Sequence, residues 1–173
     1  MIATLLLPDV VESESGEIQV RRATRDDLDA VVNLLRDDAV SSARADGTHT
    51  ATRHVYERAF EEIAEDARND LLVAVDPDGE IVGTLQLTSL PGMSRGGATR
   101  LQVEAVRVSP DRRSSGIGSA LMGWLTGIAA PAVGARLVQL TSDMSRTDAR
   151  RFYLRLGFAD SHVGFKYFVT SSG

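Results

Sequence analysis

The sequence predicts a mixed α/β domain, with helices on either side of one sheet, and three observations lead there. Short apolar strands alternate with amphipathic helices from residue 17 onward. The run Asp76-Pro77-Asp78-Gly79 sits between two strand patterns and sends the second back antiparallel to the first, because proline presets φ and glycine accepts a positive one. Apolar residues make up 43% of the 173 positions, enough for a single buried core.

The elements follow in order. Ile18 to Arg21 alternates as a strand. Thr24 then stands as N-cap before Arg25-Asp26-Asp27, which places two acids in a first helical turn, and Leu28, Val31, Val32, Leu34 and Leu35 continue at helical spacing to about Ala39. A second helix is expected from Thr50 to Ala67, with Val55, Ala59, Phe60 and Ile63 on one face. Leu71 to Val75 reads as a fully apolar strand, and Ile81 to Thr88 as its hairpin partner. The glycine-rich stretch Leu90 to Gly97 leads into a long strand, Ala98 to Val108. A helix from Ser119 to Ala130, a strand from Arg136 to Thr141 and a helix from Thr147 to Leu156 come next. A closing hairpin, Phe158-Ala159 with Phe165 to Val169, completes the order β-α-α-β-β-β-α-β-α-β-β. Residues 1–16 contain Pro8 and the polar run Glu12 to Gly16, and are expected to form a flexible arm ahead of one domain over 17–173. A second reading of the Leu5–Leu7 run, contact with a partner subunit in a homodimer, stays open.

Composition removes several function classes. There is no cysteine, so disulfides, thiolate nucleophiles and cysteine-held metals are excluded, and a reducing cytoplasm is compatible with that usage. The three histidines, His49, His54 and His162, are too scattered to suggest a metal site, and none is expected. A net charge of −5 argues against nucleic acid as partner and suits an amine-bearing one. The apolar start Met1 to Leu7 lacks a basic flank and is too short to span a membrane.

The most informative stretch runs from Val106 to Ser119. A strand enters a basic loop, Arg112-Arg113-Ser114-Ser115-Gly116-Ile117-Gly118-Ser119, that opens directly into a helix. Glycines let successive N–H groups turn into one hollow, the helix adds its unpaired N–H groups and positive dipole end, and arginine supplies charge at the rim. The spacing Arg113-x-x-Gly116-x-Gly118 lacks the third glycine of the dinucleotide fingerprint and the Gly-Lys-Ser/Thr of a P-loop. It resembles instead the Arg/Gln-x-x-Gly-x-Gly/Ala signature of the GNAT acyltransferases. A second segment, Arg146 to Phe158, is similar to that family's Asn-x-x-Ala-x-x-Phe-Tyr-x-x-x-Gly-Phe. It matches at Ala149, Phe152, Tyr153, Gly157 and Phe158, and departs from it in carrying Arg146 where the family has asparagine. The resemblance covers Glu17 to Val169.

That resemblance implies the GNAT fold, acetyl-CoA as cosubstrate, and transfer of an acetyl group to a primary amine, most simply of a small molecule. Acetylation of a protein lysine or N-terminus, and a non-catalytic CoA sensor or scaffold, are the alternatives. It implies that the strand of residues 98–108 and the one after it splay apart to admit the thioester. The backbone of Val106, Arg107 and Val108 would pair with the pantetheine arm. Arg113 and the amides of Ser114, Ser115, Gly116, Ile117, Gly118 and Ser119 would hold the pyrophosphate. Tyr153 corresponds to the tyrosine that protonates the departing thiolate, and Glu104 to an acid that deprotonates the amine, directly or through water; a solvent-facing Glu104 is the plain alternative. Arg146, Arg150 and Arg151 would either touch CoA or form a solvated face. The acceptor would meet the first two helices and the Pro91–Gly97 loop, where Asp37, Asp38, Asp46, Glu57, Glu61 and Glu62 suit a cation.

Overall fold

The computed structural model describes residues 2–37 and 52–169. Two compact units are described, one ending at Leu140 and one beginning at Thr141. The first holds a six-stranded sheet whose strands lie in chain order: β1 (Asp9–Ser13), β2 (Gly16–Arg22), β3 (Asn69–Val75), β4 (Ile81–Leu90), β5 (Arg100–Val108) and β6 (Leu137–Leu140). Neighbours are antiparallel except β5 and β6, which run parallel.

Residues 2–13 are not the loose arm that their composition suggested. Glu14 and Ser15 make a hairpin turn, and β1 pairs with β2 from Asp9↔Val20 to Ser13↔Gly16. Ile2 and Leu5 are buried, while Leu6 faces out. Two long-range contacts anchor the segment. The Arg22 guanidinium donates to the carbonyls of Ile2, Ala3 and Leu5 while its Nε holds Asp70 at 2.7 Å, and the Trp124 indole N–H donates to Asp9 at 2.8 Å. Burial of Asp70 raises its pKa and the Arg22 charge opposes that.

The sheet alternates as a two-faced core should. Leu71, Val73 and Val75 face one side, where Val31, Leu35, Phe60 and Ile63 pack against them from α1 (Leu28–Arg36) and α2 (Arg53–Glu65). The second helix is shorter than predicted: Phe60 and Ile63 pack inward, but Val55 and Ala59 are exposed. Thr50, and the predicted end of the first helix at Ala39, lie outside the described residues. So do Asp38, Asp46 and His49. The predicted helix from Ser119 begins two residues early as α3 (Ile117–Trp124) and widens to a π turn over Leu125–Ala129. Pro131, which cannot donate a backbone hydrogen bond, follows at once. Gly83 on β4 lets α3 come close: a Cβ there would lie 3.4 Å from the Leu121 side chain and 3.0 Å from the Arg107 carbonyl.

The second unit carries α4 (Thr147–Arg155), closed at Gly157, whose φ is +87°. The predicted closing hairpin is not formed. The Phe158 amide is committed to the helix end, donating to the Tyr153 carbonyl at 3.1 Å, and Asp160 is drawn to Arg150 at 2.9 Å. Phe165 to Val169 is apolar apart from Lys166, but among the described residues of this unit no strand pairs with it. Among the described residues, no helix is long and apolar enough to cross a membrane.

One carboxylate secures the entry to α1. Asp27 accepts from the Thr24 N–H at 2.7 Å, from the Thr24 hydroxyl at 2.8 Å and from the Arg21 guanidinium at 2.6 and 2.9 Å. The Arg21 hydrogen bonds, chiefly, hold its pKa at about 2, below the ordinary 3.8. A folded-state value below the unfolded one stabilises fully above pH 3.8, and the contribution is lost as pH falls from 3.8 toward 2. Asp27→Asn should therefore cost about 1 to 2 kcal/mol at neutral pH, with the deficit vanishing near pH 2. Urea unfolding of both proteins across that range checks it.

Candidate active site

The site starts from an irregularity in β5. Thr84 pairs with Arg107 and Gln86 with Glu104, so the single residue Leu85 faces the two residues Ala105 and Val106. This is a β-bulge, and Ala105 takes the left-handed conformation at φ +53° to make it. The bulge bends the strand just where its other neighbour stops: β5 pairs with β6 from Arg100↔Leu137 to Val103↔Leu140 and no further. From Glu104 to Val108, no strand among the described residues pairs with that edge of β5. A strand segment that runs past its neighbour is one to which an extended ligand can add. Glu104 is exposed one residue beyond the last paired position. Val106, Arg107 and Val108 are half-buried, and the Arg107 side chain folds back onto the Val106 carbonyl at 2.8 Å.

β5 then delivers the chain to the loop. The Ser109 amide donates to Val82 on β4 at 2.9 Å, and Pro110–Arg112 forms one 3₁₀ turn. Ser114 and Gly116 both take positive φ, +62° and +80°, which swings the backbone into the first turn of α3. Gly116 is the N-cap residue of α3, and no side chain caps that end. The leading N–H groups of a helix have no partners within it, so Ile117, Gly118 and Ser119 present a positive end to an anion. These residues fit a pyrophosphate, with the Arg113 guanidinium close by. That guanidinium lies 3.4 Å from the Asp37 carbonyl and 3.8 Å from its carboxylate. Asp37, expected to face the acceptor, thus borders the loop before α3. Arg112, expected at the rim, is instead held by Asp76 at 3.0 Å.

The structure brings Glu104, Val106, Arg107, Val108 and residues 113–119 together at one end of β5. Tyr153 belongs to the second unit, where it is half-buried on α4 with its ring edge-on to Phe152 at 5.1 Å and to Phe158 at 5.7 Å. Arg146 is the N-cap residue of α4. Arg150 and Arg151 are paired with Asp160 and Asp148. Glu57 and Glu61 are likewise paired, with Arg53 at 3.0 Å and Arg25 at 2.8 Å.

The architecture is thus a bulged mixed sheet leading into a basic glycine loop and a helix whose first turn no side chain caps. The model of the Acetyltransferase (GNAT) family matches residues 28–158, and the chain belongs to that family. Over 64 residues it is 41% identical to an aminoalkylphosphonate N-acetyltransferase of Salmonella typhimurium, covering 37% of this chain and 41% of that protein. The chain therefore matches about two fifths of that relative's length. A solved Bacillus halodurans C-125 protein, described as a transcriptional regulator, is 40% identical across 88% of this chain and 99% of its own, with a TM-score of 0.79. The glucosamine-6-phosphate N-acetyltransferase of Arabidopsis thaliana shares the fold over the same proportions, at a TM-score of 0.70 and 18% identity.

Sequence reading missed the β1–β2 turn as a wall of this site. A Cβ on Gly116 would lie 2.8 Å from the backbone nitrogen of Glu14 and 2.7 Å from its Cγ. The glycine is therefore demanded by packing as well as by its left-handed φ. Gly116→Ala should cost about 2 to 3 kcal/mol in chemical unfolding. Adding Glu14→Gly should not restore it, because the clashing backbone nitrogen remains.

Proposed function

We propose that the protein transfers an acetyl group from acetyl-CoA to the primary amine of a small molecule. The observation that carries this reading is that β5 runs on past its last pairing with β6 at Val103 and leads straight into the glycine loop at the start of α3, an end that no side chain caps. Family membership and the small-amine N-acetyltransferase among the relatives support it. Bound acetyl-CoA supplies an activated acyl group as its thioester. The amides of Ser114 to Ser119, with Arg113, hold the pyrophosphate, and the backbone of Val106, Arg107 and Val108 pairs with the pantetheine amides. Glu104 accepts a proton from the acceptor's ammonium group, directly or through one water, since only the neutral amine is a nucleophile. Tyr153, assigned by its place in the Ala149–Phe158 motif, gives its hydroxyl proton to the departing sulfur. A phenol and a thiol differ little enough in acidity for that transfer to be easy.

The second reading, a CoA-binding regulator without turnover, is favoured by the description of the Bacillus halodurans relative. A panel of small amines with acetyl-CoA, followed by thiol release, separates the two: release with any amine supports transfer, and binding without release supports the regulator. CoA at a hundredfold its Kd should stabilise the fold by about 2.7 kcal/mol in either case, measured as a shift in thermal unfolding. For the enzyme, Tyr153→Phe should leave that shift in place and lower kcat by about tenfold to a thousandfold. A donor with a more acidic leaving thiol should recover much of the loss, and an unchanged kcat would return Tyr153 to a packing role.

A further inference from the structure

The phosphate loop has few backbone ties to the sheet. After the Ser109 amide bonds Val82, the next hydrogen bonds, Arg112 to Ser109 and Arg113 to Pro110, are internal to the loop. A side chain reaching in from another element completes the attachment. Asp76 sits at the end of β3 in the turn to β4, its side chain only 8% exposed. One of its carboxylate oxygens accepts from the amides of Asp78 at 3.1 Å and Glu80 at 2.9 Å, which fixes the carboxylate plane. The other accepts from the Arg112 guanidinium at 3.0 Å. The Arg112 carbonyl in turn accepts the Ser115 hydroxyl, and Ser115 immediately precedes the N-cap residue Gly116. A cavity of about 200 Å³ lies beside the two hairpin turns and the loop, lined by Ser15, Asp78, Val82 and Ile117 as well as this pair.

We propose that Asp76 is a positioning residue for the cofactor: through Arg112 it sets the Ser109–Ser115 loop so that the amides leading into α3 are aligned before the phosphates arrive. Arg112 is thereby an anchor, and Arg113 is left as the loop's phosphate-facing cation. This rests on the reading of the loop as the cofactor's seat. The chemistry is preorganisation. A loop already ordered gives up less freedom on binding, so its contacts appear as affinity, and a charge-assisted bond to a rigid carboxylate is a firm way to order it.

The test compares Asp76→Asn, Arg112→Gln, the double variant and, as controls, Arg113→Ala and Gly118→Val. Asparagine keeps an acceptor for the Asp78 and Glu80 amides while losing the charge that Arg112 needs. CoA binding is followed by calorimetry, and acetyl transfer by the KM of each substrate. Either single variant should weaken CoA about three- to tenfold. The loss should fall on KM for acetyl-CoA rather than on kcat or on KM for the amine, as a general loss of packing would not. The double variant should be no worse than either single one, because both remove the same link. Losses that add, or an Asp76→Asn protein that binds CoA like its parent while the controls bind poorly, would overturn the proposal alone. Should both controls also bind CoA normally, the loop is not the cofactor's seat and the proposal falls with that reading.

Discussion

A single extra residue in β5 organises the site. With Ala105 in the left-handed conformation, two residues of β5 span the distance that Leu85 spans on β4. The strand keeps its antiparallel partner on one side and is released on the other, since β6 ends at Leu140 while β5 continues to Val108. An alanine held at positive φ costs on the order of 1 to 2 kcal/mol, and such strain persists only where neighbouring structure fixes it. Here that structure is the long β4–β5 pairing on both sides of the bulge, from Leu90↔Arg100 to Gly83↔Val108. The outcome is five residues of strand, Glu104 to Val108, that run past β6 and end at the glycine loop before α3.

The loop's surroundings balance charge against access. Two arginines enter it, and each meets an acid from a different element: Asp76 from the β3–β4 turn and Asp37 from the end of α1. The Asp76 carboxylate is nearly buried and held by two amides, so its partner is fixed, whereas the contact between Asp37 and Arg113 is long and exposed. An exposed pair of that kind is worth little, and a polyanion can replace it at small cost. On the far side the β1–β2 turn packs directly on Gly116, which ties the N-terminal hairpin to the site.

What could be read from the sequence was what is local. The loop and the helix after it announce themselves through arginine and glycine spacing, and Gly157 marks the end of α4 as its φ of +87° requires. The bulge was invisible, because Leu101 to Val106 reads as an uninterrupted strand and alanine is a poor signal for positive φ. β1 was missed because its anchors are remote: Asp9 meets Trp124 across 115 residues of chain. Asp76 was legible only as a turn residue, its partner Arg112 lying 36 positions away. The predicted closing hairpin failed in the opposite sense, since a run of apolar residues such as Tyr167 to Val169 does not supply a neighbouring strand.

The central claim is that the open edge of β5 and the amides leading into α3 form one continuous backbone surface for the cofactor. Amide hydrogen exchange, with and without saturating CoA, tests it residue by residue. The expected result is slowed exchange concentrated from Glu104 to Val108 and from Ser114 to Ser119, with β1 to β3 little changed. Protection that leaves both stretches untouched, or that covers the loop without reaching β5, would contradict it.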